Sequence, residues 1–130
     1  MGLGNKLSQG DAALEMGDAL QPVSLGTGLS AVFVAVGLHT CAVLDNGTVK
    51  CWGLGDVGAL GLGDASWRGD GPNEMGNALP AVSLGVSAGV TVKSVLAGYR
   101  HTCALLSNDL VKCWGRNNFG QLGLGDVATR

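Results

Sequence analysis

Charge is scarce in this chain: of 130 residues, eight are lysine or arginine and ten are aspartate or glutamate, 14% in all, for a formal net charge of −2. No basic stripe gathers along it, which argues against nucleic-acid binding through phosphate contacts. No apolar run is long enough to span a bilayer, so no membrane partner is expected, and Met1 to Gly10 lacks the basic-then-apolar pattern of a signal peptide. Helical spacing is missing too. Asp11 to Leu20 comes nearest, but its counterpart Asp70 to Leu79 contains Gly71-Pro72 and Gly76, which reads as loop. What the chain has in plenty is glycine, 23 residues spaced regularly instead of clustered in a linker, which points to turns and not to disorder.

That spacing follows an internal repeat. HTCAVLDNGTVKCWGLGDVGALGLGD, from His39 to Asp64, returns 62 residues later as HTCALLSNDLVKCWGRNNFGQLGLGD, from His101 to Asp126. Upstream, Glu15-Met16-Gly17-Asp18-Ala19-Leu20 matches Glu74-Met75-Gly76-Asn77-Ala78-Leu79 at an offset of 59. The second copy therefore carries about three extra residues between Gly85 and His101. Residues 1–64 read as a first unit with a truncated start, 65–126 as a second, and 127–130 as the start of a truncated third, so the chain is expected to be a fragment of a longer array. A unit of this length stacks on copies of itself. Two units leave outer faces uncovered, and the piece is expected to be poorly stable or self-associating.

Each unit reads as four short strands: Ala19–Leu25, Ala31–Val36, Thr40–Leu44 and Thr48–Trp52, then Ala78–Leu84, Thr91–Ala97, Thr102–Leu106 and Leu110–Trp114. Several are apolar at nearly every position, as expected of sheets covered on both faces. A three-residue loop at Asp45-Asn46-Gly47, with Gly47 left-handed, would set Cys41 opposite Cys51 in a non-hydrogen-bonded pair. Ser107-Asn108-Asp109 would do the same for Cys103 and Cys113. Such pairs admit a cross-strand disulfide. Reduced core cysteines and zinc are the alternatives, but each unit offers a metal one histidine and two cysteines, short of four ligands. Paired cysteines point to an extracellular or secretory-pathway compartment.

The motifs Val36-Gly37-Leu38-His39-Thr40, Ala97-Gly98-Tyr99-Arg100-His101-Thr102 and Asn118-Phe119-Gly120-Gln121-Leu122-Gly123 resemble those of the regulator of chromosome condensation repeat family, and the cysteine pair resembles a cysteine-containing subset of it. The resemblance implies an all-β fold, with two four-stranded antiparallel blades from a β-propeller that is seven-bladed in the family. It implies that His39 and His101 are structural, with ring nitrogens bonded to backbone, and that Trp52 and Trp114 belong to the blade core. Family members act as exchange factors, a light receptor, ubiquitin ligase domains and an enzyme inhibitor, so the shared element is the scaffold.

Isolated matches to catalytic patterns carry little against this repeat. Gly53-Leu54-Gly55-Asp56-Val57-Gly58 has dinucleotide-binding spelling, but no helix follows and its copy lacks the middle glycine. Gly85-Val86-Ser87-Ala88-Gly89 spells a nucleophile elbow without strand-helix alternation around it. Arg68-Gly69-Asp70 spells an integrin tripeptide that the other copy does not repeat. No catalytic residue, cofactor or metal is assigned. Function is sought where the copies differ: Trp67 and Arg68 stand where the first copy has Ser8 and Gln9, and Tyr99-Arg100 replaces Leu38. An aromatic beside an arginine is the composition of an interface anchor, though Trp67 folded onto its own blade is the competing reading. The expected role is a non-catalytic scaffold that binds a protein or ligand through its loops, besides further blades of its own chain. An accessory propeller of a larger enzyme or signalling protein, and a guanine nucleotide exchange factor, are the alternatives.

Overall fold

The strongest local instruction in each repeat is its hairpin turn. In the computed structural model, which describes residues 2–130, Gly47 has φ +79° and Asp109 φ +64°, the left-handed conformation that a bulged three-residue turn requires. Asn46 Oδ1 braces the first turn by accepting from the Thr48 amide and hydroxyl. These turns join β2 (His39–Leu44) to β3 (Val49–Gly53) and β5 (His101–Leu106) to β6 (Val111–Gly115). β1 (Ala31–Val36) and β4 (Val92–Ala97) complete two antiparallel sheets, ordered β1-β2-β3 and β4-β5-β6. The register is the one the turns dictate, with Val43 opposite Val49, Cys41 opposite Cys51, and Cys103 opposite Cys113.

The chain is thus all-β with blades of propeller type, but each sheet has three strands and not the expected four. Ala19–Leu25 and Ala78–Leu84 open in short 3-10 turns at Gly17–Ala19 and Gly76–Ala78, and Pro22 and Pro80 then remove a backbone donor from each. The second segment still leans on the first sheet, where the Val82 amide donates to the Val49 carbonyl at 2.8 Å. The stretches ahead of these turns are loops closed by a carboxylate. Glu15 Oε2 accepts from the amides of Gly10, Asp11 and Ala12, and Glu74 Oε2 from those of Gly69, Asp70 and Gly71. The Ala12 and Gly10 amides lower the Glu15 carboxyl below its usual range.

Strand alternation divides the core. In the first sheet Cys41, Val43, Val49 and Cys51 share one face, while Ala42, Leu44 and Trp52 share the other. The first face meets the second sheet through Val95, Ala104, Leu106 and Trp114, with Val82 and Leu60 filling in. The two blades therefore bury their common interface. No helix among the described residues is long and apolar enough to cross a membrane.

Candidate functional site

The β1–β2 turn, the end of β3, the β4–β5 turn and the end of β6 all open at one end of the molecule. The two blades touch there closely: a Cβ on Gly37 would lie 2.6 Å from the Gly98 carbonyl oxygen. Around this junction Leu38, Leu54 and Trp67 line a shallow groove of about 300 Å³ beside Arg68. Tyr99 and Phe119 stand exposed on the second blade. The Arg100 guanidinium lies 5.6 Å from the Tyr99 ring centroid, and that of Arg116 lies 5.9 Å from the Phe119 centroid. The Arg116 amide donates to the Arg100 carbonyl at 2.8 Å, which makes these four residues one continuous strip.

The expected interface residues thus fall at one end, but their engagement differs. Trp67 remains half exposed, with the rest of its side chain in the groove beside Leu38 and Leu54 of the first blade. Arg68 is committed to the scaffold, since it pairs with Asp64 at 2.7 Å and exchanges backbone hydrogen bonds with Gly53. Arg130 repeats both contacts, with Asp126 and with Gly115. Counted at the offset of 62, Arg68 is therefore a repeated residue. Arg100 pairs with Asp56 of the first blade at 2.6 Å. Among the described residues Arg116 has no carboxylate partner, its Nε donating to Asn118 Oδ1 at 2.6 Å. Sequence reasoning passed over Arg116 and Phe119, although both differ from their counterparts Leu54 and Val57, which is the signal that singled out Tyr99.

Below this surface lies a buried polar junction. His39 Nε2 is 2.6 Å from Thr102 Oγ1, whose hydroxyl donates to the Ala59 carbonyl at 2.8 Å. The hydroxyl has one proton, so the ring must carry its own on Nε2. The expected backbone partner is thus replaced by a side chain of the next blade, because Thr102 heads β5 where the blades meet. His39 Nδ1 has no protein partner. Burial lowers the His39 pKa from its ordinary value, nearby His101 lowers it further, and Asp56 opposes. An unfolded chain takes up a proton near pH 6.5 that the folded one resists, so this contribution to stability is full above that value and falls away as the pH drops below it. The urea midpoint should fall between pH 7.5 and 5.5, and His39→Gln should flatten that decline. An equal decline in His39→Gln would assign it to other groups.

Cys41 and Cys51 are disulfide-bonded with Cα atoms 4.1 Å apart, as are Cys103 and Cys113. Trp52 and Trp114 are both buried. Ser87 is exposed in the loop before β4. The described residues hold no cluster of three or more His, Cys, Asp or Glu side chains able to bind a metal.

The Regulator of chromosome condensation (RCC1) repeat profile matches residues 33–59 and 92–121. The chain is 34% identical over 92 residues to the ultraviolet-B receptor UVR8 of Arabidopsis thaliana, a stretch covering 71% of this chain and 19% of the receptor. It is 36% identical over 89 residues to the human E3 ubiquitin-protein ligase HERC2, covering 68% of this chain and 2% of the ligase. It therefore spans under a fifth of either relative. Human WBSCR16 shares the fold at a TM-score of 0.60 and 24% identity, over 81% of this chain and 26% of that one. Prp20p of Saccharomyces cerevisiae, which has binding properties toward Gsp1p and histones, aligns at a TM-score of 0.52 and 30% identity, over 68% and 20%.

Proposed function

The chain belongs to the regulator of chromosome condensation repeat family, and from that premise we propose that it is a binding scaffold without catalysis of its own, which holds a protein partner on the end where its blades meet. The observation that carries this reading is the strip of Tyr99, Arg100, Arg116 and Phe119, with half-exposed Trp67 in the groove at the same end: exposed aromatics beside arginines at the residues that break the repeat. Such residues anchor protein interfaces because they bring large contact area and fixed donors at little conformational cost. Arg116 suits a carboxylate on the partner. The binding of Prp20p to Gsp1p and histones supports a protein as the occupant. Because HERC2 and UVR8 are far longer than this chain, a second reading is that the same surface serves as a binding module within a larger enzyme or signalling protein. Nucleotide exchange on a GTPase is a third, with no observation here to favour it over plain binding.

The test is affinity capture with the purified chain, followed by titration of the captured protein. Trp67→Ala combined with Tyr99→Ala is expected to weaken binding at least tenfold, roughly the 1.4 kcal/mol or more of an interface anchor. Substitution at the opposite end, Asn108→Ala, should leave it unchanged. The reverse pattern would move the site to the hairpin turns.

A further inference from the structure

The chain carries both halves of one interface, one joined and one open. In the joined half, Met75–Leu79 lies beside β3 as a plug. The Gly76 amide donates to the Ser24 carbonyl at 3.0 Å, Lys50 Nζ donates to the Gly76 carbonyl at 2.8 Å, and Leu79 is buried against Trp52. The counterparts of Ser24, Lys50 and Trp52 in the second unit are Ser83, Lys112 and Trp114. Those three line an open cavity of about 560 Å³ beside β6.

A plug for that cavity exists at the other end of the chain. Met16–Leu20 repeats Met75–Leu79 except for Asp18 in place of Asn77. It already has the same backbone: Gly17 and Gly76 have φ +66° and +64°, and Leu20 and Leu79 have φ/ψ of −72°/114° and −77°/115°. Exposure records what is missing. Leu79 is 1% exposed and Leu20 40%; Val49 is 1% exposed and Val111 61%; Val95 is 0% exposed and Val34 52%.

We propose that a second copy of this chain inserts Met16–Leu20 into the cavity beside β6, so that copies join head to tail as the two blades do within one chain. In the joined contact Lys112 Nζ donates to the Gly17 carbonyl, the Val23 amide to the Val111 carbonyl, and Val34 covers the Cys103–Cys113 face. Because Thr40 corresponds to Thr102, His101 takes it as partner in the way His39 takes Thr102. Charge adds to the fit: a methyl on Gly26 would lie 3.0 Å from Asn77 Oδ1 and 3.3 Å from Lys50 Nζ, so the carboxylate of Asp18 arrives beside the Lys112 ammonium. The copy contact lacks the Arg100–Asp56 pair, since Leu38 and Asn118 stand at those positions. Association is therefore reversible and weakens with salt. A heterologous contact leaves a plug at one end and a socket at the other, so growth passes beyond the dimer.

Sedimentation velocity across a concentration series of the 130-residue chain should show mass rising past the dimer. Leu20→Asp spoils the plug and Ser83→Trp fills the socket, both at exposed positions. Each variant alone should sediment as a monomer, and an equimolar mixture should form a one-to-one heterodimer through the intact plug of one and the intact socket of the other. Met16→Asp repeats the plug test independently, and circular dichroism checks that all variants remain folded. A wild-type chain monomeric throughout overturns the proposal and leaves the cavity to a further unit on the same polypeptide. Self-association of the single variants, or failure of the mixture to pair, overturns it as well.

Discussion

Replacing Trp114 with alanine should destabilise the folded chain by about 3–5 kcal/mol, the usual cost of emptying a buried tryptophan site. Its ring is buried where the blades meet, in the same cluster as Val82, Leu60 and Val95. Its Nε1 donates to the Ala59 carbonyl at 3.0 Å. A Cβ on Gly61 would stand 2.7 Å from that nitrogen and 2.8 Å from Val82 Cγ1, so the backbone packs closely against this side of the ring. Against a total stability of about 5–15 kcal/mol for a domain, the loss is a large share. Trp114→Phe should cost less, about 1–2 kcal/mol, because the Ala59 carbonyl keeps its bond from Thr102. Trp67→Ala, at an exposed position, should change stability by about 0.5 kcal/mol or less. Urea midpoints for the three variants, with unchanged m values, decide the matter. A Trp114→Ala penalty as small as that of Trp67→Ala would remove the tryptophan from the core.

The difference between these two tryptophans was partly legible in the sequence, because Trp114 is repeated at Trp52 and Trp67 is not. The hairpin register was fully legible, since one left-handed residue in a three-residue loop fixes every pair above it. A fourth strand is expected from the sequence but absent from each sheet, because apolar composition says nothing about where hydrogen bonds go. Pro22 and Pro80 interrupt the ladder, and Val82 spends its amide on the neighbouring sheet. The family resemblance implies a backbone partner for His39, whereas the ring bonds across the blade interface to Thr102, a contact that spans 63 residues and leaves no local trace. The upstream offset sets Arg68 against Gln9, and the matching Glu15 and Glu74 loops agree with it. The backbone pairing of Gly53 with Arg68 and of Gly115 with Arg130 adds Arg130 as a second counterpart, which makes Arg68 a repeated residue and shifts attention to Arg116. The open cavity beside β6 could not be seen at all, because it is defined by what fills its counterpart.

That asymmetry should also govern the disulfides. Each bridge closes a loop of sequence separation 10, which by chain entropy contributes about 2–3 kcal/mol. The two differ in access: Cys41 and Cys51 are fully buried between the blades, while Cys103 and Cys113 face the open side and are partly exposed. Reduction requires a thiolate to reach a sulfur in line. Timed treatment with a dithiol, followed by alkylation and peptide mapping, should label Cys103 and Cys113 first and Cys41 and Cys51 only after the blades separate. After the first step the hairpins should persist, since the Asn46 turn and the strand ladders do not depend on the bridges, but the urea midpoint should fall by the equivalent of about 2–3 kcal/mol. Loss of the second bridge adds a similar amount and should bring unfolding within reach of mild heating. Equal rates at the two pairs, or earlier labelling of Cys41 and Cys51, would show that the interface between the blades opens more readily than its burial implies.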